Sequence, residues 1–357
     1  MIAEERGGAP SASAMERLSL CAGSHQASYG IKEPESEAAR SGSRIHGLVA
    51  GEQVSAATAE ELEMAGRCLT MAESLTQRTF GHPVGDCDTV SCEERLWSEG
   101  RAFSGKADLV IISGRRGMIV DYKTGRGEVA PPSSNQQLRA LAVLVSEHWA
   151  NELDTVGVAI VQPLVNNHPV VAWYDLKALA SAKSEVYSIV AAAAAPDAKR
   201  VAGPVQCKYC PAKSRCPEAD REVAEMTLIP EGIMALTAEQ MSRKLDACKV
   251  AEDVIWAIRE EARHRIENGE GIAGWEMKAG NTREIITNPN EVFSRFTNLG
   301  GTEGQFMTSV TIAKGKLSDA LKDATGAKGK ELKDQMERLL VGCVEEKQNA
   351  PSLVKNK

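Results

Sequence analysis

Gly105-Lys106-Ala107-Asp108-Leu109-Val110-Ile111-Ile112, then Ser113-Gly114-Arg115-Arg116-Gly117, then Met118-Ile119-Val120-Asp121-Tyr122-Lys123-Thr124-Gly125 is the stretch on which the fold reading turns. Two apolar, β-rich runs flank a short segment bounded by glycines, which predicts an antiparallel hairpin. Side chains alternate along a strand, so Asp121 and Lys123 share one face. With Arg115-Arg116 as a two-residue loop, Gly114 pairs with Gly117. Asp108 then stands across from Lys123 and one diagonal step from Asp121, at about 5 Å and about 7–8 Å between Cβ atoms. Val110, Ile112, Ile119 and Val120 surround these charges with apolar surface. Burying ions there is costly unless each is paired or metal-bound. Two clustered carboxylates suit a hard divalent cation such as Mg²⁺ or Mn²⁺, and a neighbouring lysine can orient a water and ease its deprotonation. Taken alone, these three residues fit a cross-strand ion pair on a solvated face equally well.

Outward from the hairpin, residues 11–50 read as helix, with Ser11 or Ser13 as N-cap, and residues 59–78 as a second helix with Leu62, Ala65, Leu69, Ala72 and Leu75 on one stripe. Strands are expected at 89–97, 102–112, 117–124, 156–161 and 170–173, and helices at 135–153 and 176–193. That order predicts an α/β fold with helices flanking a mixed central sheet. A Cys-, Pro- and Lys-rich loop spans 203–216. Beyond it come a long charged helix at 238–267, a Gly-rich hairpin-like stretch at 271–286, further helices and a short tail. The division expected is 1–230 and 231–357, the second domain smaller and mainly helical.

Asp-x-Lys on one strand with Gly-x-x-Asp on its partner resembles the PD-(D/E)XK nuclease superfamily, in its RecB-like branch. Gly42-Ser43-Arg44-Ile45-His46 resembles that branch's G-x-x-x-H motif, and Asp121-Tyr122-Lys123-Thr124-Gly125 its D-Y-K-T-G core. Gln137 resembles the glutamine of its Q-x-x-x-Y motif, with Leu141 where that motif has tyrosine. The resemblance implies a restriction-endonuclease-like fold. It implies a divalent cation held by His46, Asp108, Asp121 and the Tyr122 carbonyl, with Asp108, Asp121, Lys123 and Gln137 catalytic. Glu93 or Glu94 is a candidate further carboxylate, though a solvated face suits either.

Nine cysteines are present, and Cys207-x-x-Cys210-x₅-Cys216 places three in one short loop, a spacing that calls for zinc or an iron–sulfur cluster and a fourth thiolate. In RecB-like nucleases of the AddB type and in CRISPR-adaptation exonucleases, one upstream cysteine joins three downstream ones on a [4Fe–4S] cluster. Cys21 matches the upstream position, so the resemblance implies a Cys₄ staple of Cys21, Cys207, Cys210 and Cys216, with Zn²⁺ as the alternative.

Net charge is −7, but the acidity lies in the first hundred residues, and no acid falls between 199 and 216. Arg115, Arg116, Arg126, Arg139, Lys208, Lys213 and Arg215 are therefore candidates for a basic rim along a phosphate backbone. The function implied is a metal-dependent DNA nuclease, an exonuclease acting on DNA ends in phage recombination or replication. The alternative is a nuclease-like fold kept for holding DNA ends. Partners implied are DNA, single-stranded or at its ends, a phage recombinase or single-strand annealing protein, and further copies of the chain. No run reaches the ~18 apolar residues of a membrane span, and the N-terminus lacks the basic-then-apolar order of a secretory signal. A cytoplasmic protein with no membrane partner is expected.

Overall fold

A computed structural model describes residues 7–31, 37–150, 152–227, 233, 236–277, 293–294, 297, 303 and 314–340. The expected boundary at 230–231, the later part of the 271–286 stretch and the C-terminal tail lie outside these residues. By its internal contacts the chain divides into two compact units, 1–277 and 278–357. In the second, helices Lys314–Thr325 and Gly329–Leu340 pack on each other, with Met336 buried. Among the described residues no helix is long and apolar enough to cross a membrane.

The first unit is built on strands β1 (Thr89–Cys92), β2 (Arg95–Trp97), β3 (Ser104–Lys106), β4 (Leu109–Ser113), β5 (Arg116–Tyr122), β6 (Thr155–Val161) and β7 (Val170–Asp175). Five of them form a mixed sheet in the order β1-β4-β5-β6-β7, and β2 pairs with β3 separately. Only β5 and β6 run parallel within that sheet. A parallel pair needs a long crossover, and α5 (Gln136–His148) supplies it. Helices therefore cover both faces, as the α/β expectation requires.

The helices of this unit are α1 (Met15–Leu20), α2 (Ser24–Ala27), α3 (Glu37–Val49), α4 (Ala59–Phe80), α5, α6 (Leu176–Ala194), α7 (Pro217–Thr227) and α8 (Ala238–Glu267). One sheet face carries Val110, Ile112, Ile119, Val156, Val158 and Ile160 and packs on α1, α5 and α6. The other carries Leu109, Ile111, Met118, Val120, Tyr122 and Ala159 and packs on α3 and α4. The alternation of a two-sided strand thus assigns each residue its layer.

Three expectations are corrected. Residues 11–50 are not one helix, because Cys21 leaves helical geometry (φ −148°, ψ 82°) and its carbonyl accepts the Ser24 N–H instead. The runs 89–97 and 102–112 are each two strands, broken at Glu93 and at Ala107-Asp108. The hairpin loop is Gly114-Arg115, with Ser113 opposite Arg116. Gly114 takes φ +56° at the first loop position, where the favoured hairpin turns need left-handed backbone that glycine supplies freely. Extended one step, this register sets Asp108 opposite Asp121 and not Lys123. A shift of two residues preserves the face, so the carboxylates still converge.

Leu141 lies inside the core beside Gly105. A Cβ at Gly105 would stand 2.7 Å from Leu141 Cδ2, 2.8 Å from Ala12 Cβ and 2.9 Å from Leu144 Cδ1. Gly105→Ala is expected to cost about 1–3 kcal/mol of stability, the usual effect of overpacking, read as a lower midpoint in denaturant titration at an unchanged slope.

Candidate metal centre

The site begins at the two breaks between strands. Glu93 holds φ +53°, a left-handed conformation that strains a non-glycine residue by on the order of 1 kcal/mol or more. Its N–H donates to the carbonyls of Ala107 (3.1 Å) and Asp108 (3.3 Å), so the two kinks are tied together. Strain of this kind persists where the surroundings over-determine it, and here it sets two carboxylates against one imidazole. Helix α3 delivers His46, whose Nδ1 lies 3.1 Å from Asp108 Oδ1 and 3.6 Å from Glu93 Oε1. Ligand atoms of His46, Glu93 and Asp108 all lie within 4.8 Å of one another, and among the described residues no other set of His, Cys, Asp and Glu does so. Asp108 Oδ2 accepts the Tyr122 amide at 2.7 Å, and Lys106 Nζ pairs with Glu93 Oε2 at 2.8 Å.

Asp121 follows on β5, only 3% exposed. Its Oδ1 accepts Gln137 Nε2 at 3.0 Å from the first turn of α5, a turn fixed by Asn135, whose side chain caps Leu138 N–H. Lys123 Nζ lies 2.7 Å from Oδ2, off the hydrogen-bonding direction, so this buried oxygen has a charge partner and no hydrogen bond. Burial pushes the Asp121 carboxyl up to about 6, with Lys123 opposing and Asp108 adding to the rise. Burial presses His46 toward neutrality, but Asp108 and Glu93 together outweigh it and raise the imidazole to about 10. The His46 contact, with help from Lys106 and against burial, holds Glu93 down at about 2. Asp108 and Glu93 thus set His46 in a strongly negative local potential.

The residues present fit a hard divalent cation. An imidazole, two close carboxylates and a buried carboxylate oxygen without a hydrogen bond make a nitrogen–oxygen donor set suited to Mg²⁺ or Mn²⁺. Sequence reasoning named Glu93 or Glu94 without choosing between them, since a continuous strand would leave either on a solvated face; the structure brings Glu93 to the site. A left-handed non-glycine residue leaves no composition signal.

Helix α3 is itself positioned by Glu61, the buried carboxylate at the start of α4. It accepts from Arg44 Nη2 (2.7 Å), Ser41 Oγ (2.6 Å) and Thr58 N–H (2.9 Å). Arg44 first, then Ser41 and Thr58, hold its carboxyl down at about 2. A lowered folded-state value stabilises the fold above the ordinary carboxylate range, and this is lost as pH falls from about 4.5 toward 2. Glu61→Gln is therefore expected to lower the melting temperature at pH 7 and to change it little near pH 2, measured by thermal scans across that range.

Tyr122 turns its ring to the other sheet face, edge-on to His46 at 6.3 Å between centroids. The basic candidates do not form one rim. Arg115 and Arg116 sit at the far end of β5 from Asp121, about 17–20 Å away at ~3.3 Å per residue. Arg115 pairs with Asp154 at 2.7 Å, and Arg116 stacks 4.8 Å from the Trp173 centroid. Arg139 pairs with Glu185, and Arg126 donates to the Leu164 carbonyl at 3.3 Å. Lys213 is buried and donates to the Lys208 carbonyl at 3.0 Å. Lys208 lies 5.0 Å from the Tyr209 ring centre, and Arg215 lines a groove with α8.

Cys21, Cys207, Cys210 and Cys216 line one small cavity together. N–H groups of Val201 and Gly203 donate to Cys21 Sγ (3.2 Å) and Cys207 Sγ (3.4 Å), and Ser28 Oγ lies 3.8 Å from Cys210 Sγ. Gly23 N–H donates to the Lys199 carbonyl at 2.8 Å, so the two chain segments also meet through backbone. Burial pushes the Cys207 thiol up to about 11. Thiolates about a tetrahedral zinc at ~2.3 Å would stand about 3.8 Å apart. No three of these thiols come within 4.8 Å of one another.

A family described as a protein of unknown function, DUF2800, matches residues 83–357, more than three-quarters of the chain. The chain belongs to the DUF2800 family. The matched region contains Glu93, Asp108, Asp121, Lys123, Gln137 and the cysteine loop, while His46 and Cys21 precede it. No curated protein matches this DUF2800 chain. Among solved structures it is similar to an alkaline exonuclease (LHK-Exo) from Laribacter hongkongensis, at 12% identity over 53% of this chain and 90% of that one, TM-score 0.27. It is also similar to a phage-related exonuclease from Haemophilus somnus, at 14% identity over 51% of this chain and 91% of that one, TM-score 0.25.

Proposed function

We propose that this DUF2800 protein is a metal-dependent DNA nuclease, acting as an exonuclease on DNA ends in phage recombination or replication. The observation that carries the reading is the convergence of His46, Glu93 and Asp108 beside the buried Asp121–Lys123 pair. His46, Asp108, Asp121 and the Tyr122 carbonyl, with Glu93 added, would hold Mg²⁺ or Mn²⁺. When bound, such a cation supplies Lewis-acid stabilisation of the charge that develops on a phosphodiester. Gln137 keeps the Asp121 carboxylate in one orientation through its 3.0 Å bond. Lys123, partly exposed and anchored on Asp121, aims its ammonium at the attacking water and offsets negative charge as the P–O bond opens. Arg126, from the loop after β5, supplies a backbone contact near this end of the sheet.

The four cysteines belong, on the same reading, to a [4Fe–4S] cluster. The four line one small cavity, and the N–H groups aimed at Cys21 and Cys207 are of the kind that supports cluster sulfurs.

Digestion of end-labelled DNA tests the nuclease reading. Degradation is expected with Mg²⁺ or Mn²⁺, not with EDTA, and Lys123→Ala is expected to slow it by about 10²–10⁴-fold, the scale of lost proton-transfer assistance. Undiminished degradation by Lys123→Ala would exclude its role.

A further inference from the structure

We propose that the groove between α8 and the segment around Trp275 binds single-stranded DNA by base stacking. The inference rests on the nuclease reading and names the substrate form that the protein holds away from the metal centre.

The groove measures about 780 Å³, within the roughly 300–1,000 Å³ of sites that enclose small ligands. Trp256 on α8 and Trp275 both line it, 44% and 76% exposed. Ile258 and Met277 extend the apolar surface and are also exposed. Tryptophan carries the largest apolar area of any side chain, so two of them left open in one groove mark a binding surface more than a packing remainder.

Charge selects the occupant. Glu260 and Glu261 in the groove are engaged along the helix by Arg263 and Arg265. Arg215 and Arg259, set against Glu276, are then the remaining lining charges, with Arg215 near enough to Glu261 to help hold its carboxyl down. The net balance is positive beside the exposed indoles of Trp275 and Trp256, the latter with Lys213 Nζ 4.9 Å from its ring centre on one face. An apolar protein partner would meet guanidinium groups at desolvation cost. A single strand meets both features, with phosphates on arginine and bases on tryptophan, and every base offers a stacking face. A duplex hides its bases and gains only the charge.

The groove is also held in place. Val250 on α8 packs with Cys207 and Ala219, and Pro211, Ser214 and Arg215 of the cysteine loop form part of the wall. Its position is thereby tied to the cysteine segment, with no contact required from the residues of the metal centre.

Fluorescence anisotropy in EDTA, where hydrolysis is off, tests this with a labelled oligo(dT) and a blunt duplex of equal length. Wild-type protein is expected to prefer the single strand. Trp256→Ala and Trp275→Ala should each weaken oligo(dT) binding about tenfold or more, with Trp275→Phe restoring most of it. Arg215→Ala should lower the salt dependence of binding, by about 0.7 in the log–log slope. Metal-dependent hydrolysis of a chromogenic phosphodiester too small to reach the groove should be unchanged in Trp256→Ala and Trp275→Ala. Unchanged oligo(dT) affinity in the double tryptophan variant overturns the inference, as does equal affinity of wild type for duplex and single strand. So does a loss of self-association, with DNA affinity intact, in Trp275→Ala. Failure of wild type to hydrolyse the chromogenic diester overturns the nuclease reading separately, because binding is measured without turnover.

Discussion

Asp121→Asn is expected to abolish metal-dependent DNA hydrolysis, by on the order of 10³-fold or more, while leaving the melting temperature level or higher. Two properties of the side chain set the opposite signs. The carboxylate is almost fully buried, its ionised form is disfavoured by that burial, and Oδ2 has no hydrogen bond. Asparagine keeps an oxygen to accept from Gln137 and removes the buried charge, so the fold loses little. The same change removes the one anionic oxygen that couples Lys123 to the carboxylate cluster. A group kept at a cost to the fold and needed for turnover is a functional group. A loss of activity accompanied by a large fall in melting temperature would instead mark Asp121 as structural.

The second large effect concerns the cysteine quartet. Cys210→Ser is expected to strip the iron and the brown colour from anaerobically purified protein and to lower the melting temperature by about 10–20 °C. The cross-link would close a loop of about 190 residues, and by chain entropy a bridge of that span is worth about 5 kcal/mol. Gly23→Ala offers a test that leaves every thiol in place. Its Cβ would stand 2.4 Å from the Ala198 carbonyl oxygen and 2.9 Å from the Lys199 carbonyl carbon, backbone atoms that cannot swing aside. The substitution should drive the segment bearing Cys21 off residues 198–200 and release iron nearly as fully as Cys210→Ser. Wild-type protein free of iron and sulfide after anaerobic purification would contradict the cluster assignment.

The layering of the fold is legible in the sequence because it follows from alternation. Val110, Ile112 and Ile119 face one way and Leu109, Ile111 and Val120 the other in the expected register and in any register differing from it by an even number of residues. That parity is also why Asp108 and Asp121 share a site although the loop is Gly114-Arg115 and the pairing moves by two residues. Two things were not legible. The division of residues 11–50 depends on Cys21 leaving helical geometry to reach the Val201 N–H, a contact 180 residues away. The entry of Glu93 into the site depends on a left-handed backbone held by hydrogen bonds to Ala107 and Asp108. Both are tertiary effects that override local propensity. The basic residues fail for a related reason: composition counts charges but does not place them, and Arg115 and Arg116 lie at the wrong end of β5.

Crystals of the protein grown with Mn²⁺ and measured at the manganese absorption edge test the central claim most directly. The account predicts an anomalous peak within about 2.0–2.5 Å of His46 and Asp108 ligand atoms, with Glu93 or Asp121 completing the set and His46 no longer protonated. Saturating Mn²⁺ with no peak among these side chains, or a peak only elsewhere on the molecule, would contradict it.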